Sequence, residues 1–209
     1  MSKYLGAKCK LCRREGEKLM LKGERCSTGK CAIVKRNYPP GLHGPKGRAR
    51  QSGYNMQLRE KQKAKRMYNL LEKQFALSFE RALKQKGPAG ENLLKILETR
   101  LDNVIYRLGI APSRAQARVL VSHGHFQVNG GKVNIPSFNV KTGDIIKIKK
   151  SSLPSKQFAN LAERLKKIEI PGWLNYDIKD NSAKVLHLPS PENFESIIKT
   201  QMIVEFYSK

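Results

Sequence analysis

Apolar residues recur every three to four positions through the middle of the chain, which predicts amphipathic helices. Over 56–86, Met67, Leu71, Phe75 and Phe79 repeat every four residues, with Leu70 and Leu83 widening the stripe. This spacing predicts one helix or a helix pair. The other face carries Arg59, Lys61, Lys63, Lys65, Arg66 and Lys73, and Gly87-Pro88 with Gly90 ends it. The strongest periodicity covers 91–108, where Leu93, Leu94, Leu97, Leu101, Val104, Ile105 and Leu108 predict a single helix closed by Gly109. Arg100, Asn103 and Arg107 share a different face of it. A helix over 113–123 opens with a Ser113–Gln116 capping box, turns Ala117, Leu120 and Val121 to the core, and places Arg114 and Arg118 together.

The period then shortens to two. Phe126 and Val128 lead into Asn129-Gly130, a hairpin signal, and Val133 and Ile135 return. After Gly143-Asp144, Ile146 and Ile148 alternate with Lys147 and Lys149. A short helix fits 157–168 through Phe158, Leu161, Leu165 and Ile168, ending at Pro171-Gly172, with Trp173 beside it as a packing anchor. Met202–Tyr207 reads as a closing strand. Residues 37–50, with three prolines and three glycines, read as an extended linker.

Charge changes the picture more than length does. The 209 residues, 39% hydrophobic, suffice for one large domain or two small ones. Lys plus Arg is 41 against 17 Asp plus Glu, a net charge of +24. Residues 1–150 hold 33 of those cations and 10 of the acids, whereas 151–209 hold 8 and 7. A generally basic surface would not be so lopsided, and the excess points to a polyanion, with nucleic acid first. No apolar run approaches the roughly 18 residues of a membrane helix. The opening MSKYLGAKCK has no apolar core of a secretory signal.

Four cysteines supply the candidate chemistry. Cys9 and Cys12 form C-x2-C, Cys26 and Cys31 form C-x4-C, and thirteen residues separate the pairs. Two disulfides or four unlinked core cysteines are the alternatives. A reducing cytosol disfavours the first, and short paired spacing disfavours the second. Four thiolates hold zinc tetrahedrally at about 2.3 Å and leave no open position, so the site is read as structural; spacing alone leaves an iron–sulfur cluster open. His43 is not needed as a fifth ligand. The segment is poor in apolar residues, so a metal is expected to organise it and chelation to loosen it.

The residues now resemble a known family. YLGAKCKLCRREG, KGERC, NYPPGLHG, LREKQKAKRMY, LLEKQFALSFERA, LETRLDNVIYRLGIAPSRAQARVLVSHGHFQVNG and IVEFYSK run end to end as in bacterial small-subunit ribosomal protein four, in its zinc-binding form. The match is weakest over 150–200. The central segment is similar to an RNA-binding module also appended to some pseudouridine synthases, tyrosyl-tRNA synthetases and a small heat-shock protein.

The resemblance implies a mixed α+β fold. It comprises a zinc-bound N-terminal segment with a basic linker (1–45), an α-helical domain (46–90, completed by 174–209) and an inserted helix-helix-small-sheet RNA-binding module (91–173). It implies a cytoplasmic, non-enzymatic constituent of the small ribosomal subunit. Such a protein binds 16S rRNA first at a multi-helix junction of the 5′ domain and nucleates assembly of the subunit body. It also implies neighbours in the third and fifth small-subunit proteins, a place near the mRNA entrance channel, and a contribution to translational accuracy.

Structured RNA is read by shape, phosphates and 2′-hydroxyls, which favours Arg and Lys on rigid helices. The candidates in the module are Arg100, Arg107, Arg114 and Arg118, with His123, His125 and Asn129 at its turns; elsewhere they are Arg48, Arg50, Arg59, Lys63 and Arg66. Any one of them read alone is a solvated surface cation, and the two histidines could simply cap carbonyls. Tyr4 and Tyr54 lie in basic surroundings and suit base stacking, whereas Phe75 and Phe79 belong to the core stripe. An RNA-modifying enzyme carrying this module is a second reading, but no catalytic motif appears and too little chain follows the module. A zinc-finger DNA regulator is a third, but neither a C2H2 pattern nor a heptad zipper is present.

Overall fold

A computed structural model of the chain describes residues 4–46, 52–178 and 180–208. Contacts divide it into two compact units, Met1–Leu93 with Glu195–Lys209, and Leu94–Phe194. No helix among the described residues is long and apolar enough to cross a membrane.

The first unit begins with α1 (Lys8–Glu15) and the one-turn α2 (Ala32–Lys35), then α3 (Gly53–Met67) and α4 (Glu72–Leu83). The predicted 56–86 stretch is thus a pair. The Ser52 hydroxyl accepts the Asn55 amide to open α3, and Asn69 in a left-handed conformation (φ 55°) closes it. Phe75 and Phe79 are buried, as the stripe required.

Met202–Tyr207, expected as a strand, is helical and belongs to α9 (Thr200–Tyr207). Five apolar residues around a single glutamate, Glu205, fit either period, and packing decides between them. Ile203 is fully buried, the Tyr207 ring stacks on Phe79 at 4.5 Å, and Phe206 lies 5.6 Å from Tyr54. Gly90, in α5 (Ala89–Glu98), makes room for this helix: a Cβ there would meet Thr200 Cβ at 2.7 Å.

The second unit holds α6 (Leu101–Arg107), α7 (Arg114–Ser122), α8 (Leu161–Lys167) and a five-stranded antiparallel sheet. The strands are β1 (Phe126–Val128), β2 (Gly131–Val133), β3 (Ile145–Ile148), β4 (Leu174–Asp177) and β5 (Ser182–Val185), in the order β2-β1-β3-β5-β4. Asn129 and Gly130 both take positive φ (50° and 81°) in the β1–β2 turn, as a type I′ turn demands. Residues 174–185, grouped from the sequence with the helical part, instead extend this sheet: Ile146 pairs with Ala183, and Leu174 with Val185. One face of the sheet packs with α6 and α7 around Leu101, Ile105, Leu120, Phe126 and Trp173.

The single helix expected over 91–108 is two helices, α5 and α6, separated at Thr99 and Arg100. Arg100 is extended (φ −65°, ψ 137°). The Leu101 and Asp102 amides, which a continuous helix would have tied to its own carbonyls, donate instead to Phe138 (2.7 Å) and Pro136 (3.2 Å), and the Val140 amide donates to Thr99 (2.9 Å). The 136–140 loop therefore supplies what the break removes.

Candidate nucleic-acid interface

The cysteines are delivered by local structure. Cys9 and Cys12 sit one helical turn apart on α1, Cys26 ends a 3-10 turn (Gly23–Cys26), and Cys31 precedes α2. All four are free thiols, and all four line one small cavity. The Lys22 amide donates to Cys26 Sγ at 3.3 Å. Burial pushes the Cys12 thiol above its ordinary value; a hydrogen bond with the Leu19 backbone offsets part of this, and the neighbouring Cys26, Cys9 and Cys31 add to the rise. Among the described residues no group of three or more His, Cys, Asp or Glu is arranged to hold a metal ion. The shared cavity and the amide donated to Cys26 Sγ are compatible with a cation among the four sulfurs, which would offset the mutual repulsion of their thiolates.

The basic face of α3 is largely neutralised from within its own unit. Glu15, nearly fully buried at the end of α1, accepts from Arg59 (3.3 Å) and from Arg66. Burial raises the Glu15 carboxyl pKa above its ordinary value, and Arg66 and Arg59 pull it back only in part. Lys63 is buried against Glu17 (3.1 Å) and Glu60 (2.8 Å). Lys61 and Lys65 both reach Glu72.

Glu72 gives a pH prediction. Burial alone would raise its pKa, but hydrogen bonds from Lys61 and Lys65 hold it below the ordinary 4.5. These contacts therefore favour folding above that value and are lost as pH falls through the lower folded-state pKa. The side chain is half exposed, so the effect on stability is small. A carboxyl-detected NMR titration should place the Glu72 midpoint below 4.5; a midpoint at or above it contradicts the pairing.

In the second unit the arginines form a buried network. Arg100 grips Asp102 with both prongs (3.1 and 2.8 Å), and Arg118 reaches the same carboxylate at 3.2 Å. Arg107 grips the fully buried Glu98 likewise (2.9 and 2.7 Å). Asn103 donates to Glu98 at 2.7 Å and accepts from Arg114 at 2.7 Å, and the Arg114 guanidinium lies over the Tyr106 ring at 4.5 Å.

Comparison with known proteins decides the family. Residues 3–98 match the model described as the ribosomal protein S4/S9 N-terminal domain, and residues 99–146 match the S4 domain. The small ribosomal subunit protein uS4 of Caldicellulosiruptor saccharolyticus is 56% identical over 209 residues, covering 100% of both chains. Those of Acetivibrio thermocellus and Clostridioides difficile are each 54% identical over the same full length. The chain belongs to the uS4 family.

Against this uS4 frame the predicted contact residues separate into groups. Arg100, Arg107, Arg114 and Arg118 do come together, but as a network bound to Glu98, Asp102 and Asn103 rather than as a row open to solvent. Lys63 is likewise buried and paired. Asn129 shapes its turn: its Oδ1 accepts the Ile145 amide, and its Nδ2 donates to Asp144, both at 2.9 Å. His125 is half-buried with Nδ1 2.9 Å from Ser152 Oγ, and burial, with His123 and Lys149 nearby, lowers its pKa. Tyr4, Tyr54 and His123 are exposed, with Tyr54 against Phe206. Arg48 and Arg50 lie outside the described residues. Reading the sequence missed the acidic partners, and it missed the lysines of the sheet, although the Ile/Lys alternation at 146–149 was a signal for two of them.

Proposed function

We propose that this chain is an early, structural binder of 16S rRNA that docks at the multi-helix junction of the 5′ domain and nucleates assembly of the body of the small subunit. The supporting observation is full-length identity of 56% to a relative named as a small ribosomal subunit protein. The family is structural, not enzymatic, and its place is the cytoplasmic ribosome. A net charge of +24 provides the attraction for RNA. The buried arginine network serves to hold the two helices of the module at a fixed separation, so that exposed groups meet phosphates in register. Tyr4, Tyr54 and His123, the partly exposed Arg59 and Arg66, and the linker residues Arg48 and Arg50 are the proposed contacts from the original set. Family membership also supports the third and fifth small-subunit proteins as neighbours, a position near the mRNA entrance channel, and a part in translational accuracy.

The test is a salt titration of binding to the 5′ domain of 16S rRNA against an unrelated structured RNA of equal length. A preference for the ribosomal RNA that persists at high salt supports the reading. Equal affinities that collapse together as salt rises reduce it to general polyanion binding.

For the cysteine segment we propose structural zinc held by Cys9, Cys12, Cys26 and Cys31. Zinc bound there would cross-link α1 to the turn at Cys26 and the start of α2. Chelation is expected to release zinc and to make residues 5–36 sensitive to protease. Unchanged protease resistance overturns the proposal, and visible absorbance with iron in the metal analysis replaces zinc by a cluster.

A further inference from the structure

The sheet of the second unit has a second face, and it is cationic. Phe126, Val128, Ile146, Ile148, Leu174, Ala183 and Val185 are buried on the inner face. The pleat therefore turns Gln127, Lys132, Lys147, Asn175 and Lys184 outward, and Lys149 continues the alternation one residue beyond β3. Register places Gln127 opposite Lys132 on one side and Lys147 on the other, and Lys184 between Ile145 and Asn175. Lys132 and Lys147 are thus two strand spacings apart, roughly 10 Å. Lys149 lies about 7 Å along the strand from Lys147, and Lys184 sits diagonally from it at about 7–8 Å. The Lys132 stem crosses Gly124, where a Cβ would meet its Cε at 2.6 Å.

None of these four lysines has an ion-pair partner among the described residues, in contrast to the arginines at 100, 107 and 118. The strands carry one acid, Asp177 on the edge strand β4, separated from Lys147 by Ser182. Ile145 is the one large apolar side chain on the outward strand positions.

We infer that this outer sheet face binds an RNA sugar–phosphate backbone, through Lys132, Lys147, Lys149 and Lys184. The inference rests on the RNA-binding reading above and assigns it a surface. Lysine-rich, apolar-poor faces are disfavoured at protein interfaces. Point charges on flexible stems, several ångströms apart, suit phosphates without reading bases.

The test compares the full chain with a variant in which all four lysines are changed (K132Q, K147Q, K149Q, K184Q), on both the 5′ domain RNA and the unrelated structured RNA. The slope of log affinity against log salt should fall by about 3–4 in magnitude on the RNA that is bound. Chemical acetylation of the unaltered protein gives a second readout independent of the variant's folding. RNA should protect these four lysines while Lys73 and Lys84 of the first unit continue to react. Failure of the ribosomal reading appears as equal affinity of the unaltered protein for both RNAs, and the slope difference still judges the face. An unchanged slope with undiminished acetylation overturns the inference and leaves the face to an acidic protein partner.

Discussion

Asp102→Asn should destabilise the second unit by about 3–5 kcal/mol, the cost of removing one partner from a buried ion pair. Asp102 is 3% exposed and is the carboxylate that both Arg100 and Arg118 address. The substitution keeps the shape and one acceptor but removes the negative charge, leaving two buried guanidinium groups facing each other. Burial already lowers the Arg118 pKa, Asp102 is the main opposing influence, and Arg100 deepens the shift. Urea unfolding followed through Trp173, the one tryptophan and itself in this unit, reports the loss. A change below about 1 kcal/mol, the range of exposed pairs, would mean that the arginines find solvent and that the network is not structural.

The second large effect is expected at Trp173. Its side chain is fully buried in the core shared by α6, α7 and the sheet, and its carbonyl accepts the Leu186 amide at 2.9 Å. Trp173→Ala should cost about 3–5 kcal/mol through lost burial and the cavity left behind. Trp173→Phe should cost much less, because the indole Nε1 is buried without a hydrogen-bond partner among the described residues, so its removal forfeits no bond seen there. Thermal unfolding by circular dichroism reads both variants. Equal destabilisation by the two would show that the indole nitrogen carries an interaction in solution.

Features set by neighbours in sequence were legible in advance. Ser113 does accept the Gln116 amide, Asn129-Gly130 does turn the hairpin, and the Leu101, Ile105 and Leu108 stripe does face the core. Features set by distant partners were not. The break at Thr99–Arg100 carries no glycine or proline and exists because residues 136–140 supply alternative acceptors. The closing apolar run became a helix because the aromatic rings of α4 and the start of α3 receive it. Cationic faces could be drawn from spacing, but which cations remain available could not. Glu15 lies 51 positions from Arg66, and Asp102 lies 16 from Arg118. Charge counts locate an electrostatic excess, whereas pairing decides where it can be used.

The placement of α9 has a consequence for synthesis. It packs on α3, and Gln57 donates to Glu205 at 2.8 Å across 148 positions of chain. The whole of Leu94–Phe194 is translated between these two halves of one unit. The intervening unit can therefore reach its native state while the flanking unit still lacks its last helix, and until α9 arrives the apolar side chains it covers, Phe79 among them, stay open to solvent and to chaperones. Maturation of the first unit thus waits for α9, and a nascent chain in which Leu94–Phe194 has emerged and α9 has not would have its later unit folded ahead of its earlier one.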